Sequence, residues 1–183
     1  MKNKLFLVIV LLSCLYETMY AQRTLIDTVR YRFHYETKET ATEGKKPFDD
    51  EINVDIGDKV TYCYSSWEED NDLLYDSIMA KGGNVNDFLA AEGPISMFDE
   101  RVIKNYPSKG NISVTCLLGD DVIYNEPMVK KDWNLEPGDT TIVGYKCKKA
   151  TCNFRGRKWI AWYTLDIPIS EGPWKIDGLP GMI

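Results

Sequence analysis

The chain has 183 residues, with 22 Lys and Arg against 28 Asp and Glu, for a net charge of −6 at pH 7. An acidic balance of this size argues against nucleic acid and against electrostatic docking on anionic lipid. A single His, His34, excludes a multi-His metal centre, and no apolar run approaches the roughly 20 residues that a spanning helix needs.

The chain opens with a charged Lys2 and Lys4, an apolar run Leu5–Leu12, and Met19-Tyr20-Ala21 just before Gln22. That layout predicts a signal peptide over 1–21 and an exported protein of the periplasm, outer membrane or cell surface. Leu11-Leu12-Ser13-Cys14 also fits a lipobox loosely, but the leader would be very short and Leu15 would follow the lipidated Cys14. Removing 1–21 takes away Lys2, Lys4 and Glu17 and leaves 162 residues at net −7. A single domain over 22–183 of this size buries about 70% of its unfolded surface. No segment of the mature chain is expected to span a membrane. Four Cys remain: Cys63, Cys116, Cys147 and Cys152. Export favours disulfides, with a turn joining Cys147 to Cys152 and Cys63 stapled to Cys116 on a distant strand. The alternative is four buried free thiols. The spacings lack a paired CxxC, so no metal site and no cofactor is predicted.

The first strand is read over Thr28–Thr37. Val29, Tyr31, Phe33 and Tyr35 alternate there with polar residues, His34 among them. Residues 38–51 read as a loop. Ile52, Val54 and Ile56 make a second strand, Gly57-Asp58 a turn, and Val60, Tyr62 and Tyr64 a third strand with Cys63 on its opposite face. Ser65-Ser66 caps a helix from Trp67 to Lys81 that Gly82-Gly83 ends, and Asn84 caps a second helix from Val85 to Ala91. The acidic run 68–72 lacks the spacing of a calcium loop and reads as a solvated helix start. Strands follow at Glu100–Asn105, Ile112–Leu118 and Val122–Tyr124. Asn111-Ile112-Ser113 fits a glycosylation triplet by chance composition only. A turn at Pro137-Gly138-Asp139 precedes a strand at Thr141–Lys146, and the last strand lies within Asn153–Asp166. Its core, 157–166, sets Trp159, Ala161 and Tyr163 on one face and Ile160 and Trp162 on the other, so both faces read as covered. The pattern predicts an α+β fold, mainly antiparallel sheet with one or two short helices, curved like a half-barrel.

The C-terminal stretch is the least generic part of the chain. It holds Ala150, Phe154, Gly156 and Arg157 in an A-x-x-x-F-x-G-R pattern, then Ala161–Thr164 and Ile167-Pro168. Gly172-Pro173-Trp174-Lys175 and Gly178-Leu179-Pro180-Gly181-Met182-Ile183 complete it. This segment resembles the signature of the GLPGLI family, secreted proteins of Gram-negative bacteria, with Met182 where the family has Leu. The resemblance implies no established activity. It also implies further strands after the motif, so the domain is expected to run on past Ile183.

No G-x-S-x-G elbow, H-E-x-x-H, P-loop or G-x-G-x-x-G occurs. No catalytic residue is therefore assigned. Arg157 reads as a partly buried cation that pairs within the sheet. The leading expectation is a non-enzymatic envelope protein that binds an apolar or peptide-like ligand, or an outer-membrane protein partner. Arg157, Trp159, Trp162 and Tyr163 are the candidate contact residues. The alternatives are an envelope hydrolase using carboxylates or a Cys, and a purely structural outer-membrane accessory protein.

Overall fold

A computed structural model describes residues 25–39, 48–96, 98–117 and 121–183. The expected signal peptide, Cys14 and residues 40–47 of the expected loop lie outside the described residues. The fold is α+β and mostly antiparallel. Six strands form a meander: β1 (Tyr31–Glu39), β2 (Phe48–Ile56), β3 (Thr61–Ser65), β4 (Glu100–Lys104), β5 (Asn111–Leu117) and β6 (Asp121–Pro127). They pair strictly in sequence order, and the sheet does not close. A second sheet holds β7 (Asn134–Ile142), β8 (Tyr145–Phe154) and β9 (Arg157–Thr164).

Two helices stand between β3 and β4. In α1 (Ser66–Ala80) the Ser65 hydroxyl accepts from the Glu68 N–H at 3.4 Å, and Glu68 and Glu69 sit at the positive end of the dipole. In α2 (Val85–Ala91) Asn84 and Asp87 form a reciprocal capping box. Neither helix buries a residue fully, and Leu73 is exposed.

The core of the first sheet follows from register. Phe33, Val54, Cys63, Val102, Val114 and Tyr124 lie side by side across all six strands. Four of them, Val54, Cys63, Val102 and Val114, have no exposed surface. Burying each such side chain contributes roughly 1.5–3 kcal/mol. The neighbouring row runs Tyr31, Ile56, Thr61, Lys104, Ile112 and Glu126, so a Lys stands among core positions. The opposite face is polar and aromatic, with Arg32, Asp55 and Tyr62 aligned.

The second sheet departs from the sequence reading in three places. Pro137 and Gly138 do not turn the chain: they form a bulge inside β7, between Glu136 and Asp139. The turn comes at Val143-Gly144, where both φ angles are positive (50° and 84°), and Arg155-Gly156 repeats it (52° and 74°). Such two-residue turns match the strand twist and favour Gly at the second position. As a result the Cys147–Cys152 segment is continuous strand within β8. Five residues of strand separate the sulfur-bearing Cα atoms by roughly 16 Å and point them to opposite faces, which no disulfide bridges. Cys63 and Cys116 also fail as a pair, because β4 lies between their strands. All four cysteines are buried free thiols.

The last nineteen residues, 165–183, form no strand, and six of them, Gly172, Lys175, Ile176, Leu179, Gly181 and Met182, are buried. Met182 enters the core of the six-stranded sheet, and Leu179 enters the core of the three-stranded one. This tail lies between the two sheets and joins them.

Candidate functional site

Three buried lysines hold the tail in place. Lys104, on β4, is fully buried and donates to the carbonyls of Gly172 (2.9 Å) and Ile176 (3.3 Å). Its Nζ also lies 2.6 Å from Glu171 Oε2. Lys131 reaches Asp177 at 2.8 Å, and the Trp133 indole N–H donates to the Asp177 carbonyl at 2.9 Å. Lys175, 1% exposed, donates to the Tyr124 hydroxyl at 2.9 Å and lies 3.2 Å from Glu126 and 3.4 Å from Glu100. Glu126 Oε1 and Glu171 Oε2 are buried with no well-aligned donor. The short ammonium distances decide the matter, because a rotating NH3 group satisfies a carboxylate without a fixed angle.

These pairs set the charges. Burial pushes Lys131 below its ordinary value, and Asp177 offsets this only in part. Burial also acts against Lys175, but Tyr124, Glu100 and Glu126 outweigh it and raise the group. Burial would raise Glu126, yet Arg155 and Lys175 together hold it below the usual carboxylate range. Rings close the same cluster. Trp174 stacks on Trp159 with centroids 5.6 Å apart and meets Phe154 edge-on at 6.0 Å. The Trp174 indole donates to Glu100 at 2.6 Å, and its backbone N–H donates to Cys63 Sγ at 3.0 Å. The Cys63 thiol is pushed up to about 11 by burial.

The Gly-Pro-Trp-Lys and Gly-Leu-Pro-Gly runs therefore read as fastening parts. A Cβ on Gly181 would lie 1.8 Å from the Thr164 carbonyl oxygen, and one on Gly172 would lie 2.9 Å from Ile183 Cβ. Only Gly at 181 lets the tail come this close to β9, and Gly172 lets it fold back on its own end.

The four proposed contact residues do not converge. Tyr163 is 3% exposed and belongs to the second core, with Ala161. Trp159 is committed to Trp174 and donates its indole N–H to the Phe154 carbonyl. Trp162 lies on the opposite face, over the bulge at Gly138. Arg157 is exposed and has no ion pair among the described residues, so its expected burial is corrected. Nor is β9 covered on both sides: Ile160, next to Trp162, is 59% exposed. The true buried cations, Lys104, Lys131 and Lys175, escaped the sequence reading. The parity of Val102 and Lys104 on β4 was the available signal.

A second polar group lies on the other face of the first sheet. Arg32 makes two bonds to Asp55 (2.6 and 2.7 Å) and one to Tyr64 (2.8 Å), and Tyr62 stacks on Tyr64. Arg101 holds Glu68 and Asp72 at 3.4 and 2.5 Å. Burial raises Glu68 and Glu69, against the pull of Arg101. These carboxyls can hold a proton above the usual range. His34 pairs with Asn53 and Glu51 at the surface. Among the described residues no group of His, Cys, Asp and Glu has metal-site geometry, and no helix is long and apolar enough to cross a membrane.

Residues 153–183 match a family model described as "Protein of unknown function (Porph_ging)". The match coincides with the end of β8, β9 and the tail. Comparison with curated proteins gives no match. A solved structure described as "Structure of PNGF-II in C2 space group" is similar over 78% of this chain, at 18% identity and a TM-score of 0.45. The chain spans 22% of that protein's length.

Proposed function

We propose that this chain is an exported cell-envelope protein of the GLPGLI type, which binds an apolar or peptide-like ligand or an outer-membrane partner and does not catalyse a reaction. The observation that carries this reading is the outer face of β9. Ile160 is 59% exposed beside a half-buried Trp162, while Ala161 and Tyr163 anchor the same strand in the core. Apolar groups held on a rigid, uncovered surface gain free energy when a partner covers them. Contact thus passes from Trp159 and Tyr163 to Trp162 and Ile160. Export is supported by the Lys2, Leu5–Leu12 and Ala21 layout alone.

Purification from fractionated envelope, for wild type and Ile160→Glu, tests the proposal. It expects a mass that begins at Gln22 and one stoichiometric companion in native mass spectrometry. The variant loses the companion and keeps its unfolding midpoint. A cytoplasmic chain that retains Met1, or a companion held equally by Ile160→Glu, defeats it.

A further inference from the structure

Lys131 is held differently from the other two buried lysines. Lys104 has two carbonyls and Glu171 around its ammonium, and Lys175 has a hydroxyl and two carboxylates. Among the described residues Lys131 has one acceptor, Asp177 Oδ2 at 2.8 Å, and its Nζ otherwise meets the Phe154 ring, 5.0 Å from the centroid. The Lys131 side chain is 1% exposed and that of Asp177 is 13% exposed. An ammonium with three N–H groups and one acceptor is poorly solvated. Burial accordingly holds it below its ordinary value; Asp177 and Glu171 act against this, and the Lys104 charge adds to it. Moving the shared proton from nitrogen to oxygen leaves a neutral amine against a neutral carboxyl, the form that a dry site favours.

Trp133 fixes the two groups relative to each other. Its backbone N–H donates to the Lys131 carbonyl at 3.2 Å, and its indole N–H donates to the Asp177 carbonyl at 2.9 Å. The indole also lies against Gly178, where a Cβ would sit 3.7 Å from Nε1. One residue thus ties down both backbones, and a reaction between the two side chains needs no encounter step.

We infer that Lys131 and Asp177 join in an amide cross-link within the folded protein. The Lys131 Nζ lone pair attacks Asp177 Cγ in its acid form. The C–N bond forms, the C–OH bond breaks, and the hydroxyl leaves as water with a proton from the amine. The exclusion of water that neutralises the pair also opposes the reverse hydrolysis. The bond ties the segment before β7 to the tail, across 46 positions of sequence, in a chain whose four described cysteines are free thiols. It forms whether or not β9 holds a partner.

Intact mass of the purified, folded chain, read under denaturing conditions, tests this, with Lys131→Arg beside it. Arg keeps a cation opposite Asp177, but a guanidinium that stays protonated is no nucleophile. Wild type is expected to weigh one water less than its sequence, counted from the N-terminus it carries, and Lys131→Arg to show its full mass. Digestion of wild type with trypsin should give no cleavage after Lys131 and a branched peptide in which Lys131 is joined to Asp177. If Lys131→Arg fails to fold, that branched peptide decides. Full sequence mass for folded wild type overturns the inference and leaves the pair an ion pair. So does a water loss that persists in Lys131→Arg and disappears in mild alkali, which is ring closure to a succinimide at Asp177-Gly178.

Discussion

Replacing Lys175 by Met tests whether the tail is fastened by charge. Met keeps most of the volume and the apolar stem, so little cavity forms. What disappears is the ammonium between Glu126 (3.2 Å), Glu100 (3.4 Å) and the Tyr124 hydroxyl (2.9 Å). Removing one partner of a buried pair costs about 3–5 kcal/mol. The loss is smaller here. Glu126 keeps Arg155, Glu100 keeps the Trp174 indole, and their side chains are 20% and 28% exposed. The expected cost is about 2–3 kcal/mol. With a urea slope of about 2 kcal/mol/M for a domain of this size, the midpoint falls by about 1–1.5 M. Circular dichroism during urea titration reads this directly. A loss below about 0.5 kcal/mol would refute the fastening role, since that is the range of surface substitutions.

Three further outcomes follow from the same geometry. Gly181→Ala places a Cβ against the Thr164 carbonyl and costs about 3 kcal/mol; Gly110→Ala, at φ 85° in open space, costs about 1 kcal/mol. Thermal unfolding that ranks them the other way contradicts the packing. The raised Cys63 thiol contributes stability that is fully present below its unfolded value of 9.0 and is lost as pH rises through about 11. Urea titrations at pH 8 and pH 10.5 should show this loss in wild type and a smaller one in Cys63→Ala. Arg157→Ala should leave the midpoint within about 0.5 kcal/mol of wild type, because the side chain is exposed and unpaired; a larger shift restores the paired role expected from sequence.

Local rules carried the sequence reading where local chemistry decides. Asn84 announced α2, and the alternation of Ile52, Val54 and Ile56 announced β2. The reading failed where partners are distant. Glu171 meets Lys104 from the far end of the chain, so the parity of Lys104 with Val102 could mark its burial but not its partner. It failed also at Val143-Gly144, because a β-branched residue at φ 50° is not a turn signal. That single missed hairpin misplaced the Cys147–Cys152 segment and, with it, the expected disulfide. The contact residues were misjudged for a related reason. A strand's parity separates its two faces, but only the packing partner says which face stays open, and here Trp174 covers Trp159 and leaves Ile160 bare.

The account centres on 165–183 as part of the core. Native-state amide exchange tests this most directly, with Thr164, Ile176 and Met182 compared against Val102 and Val114. All three tail-contact amides should open only with global unfolding, at the same free energy as the two β-sheet amides. Exchange of Ile176 and Met182 through a separate, lower-energy opening would contradict the account and make the tail an appendage that the two sheets do not need.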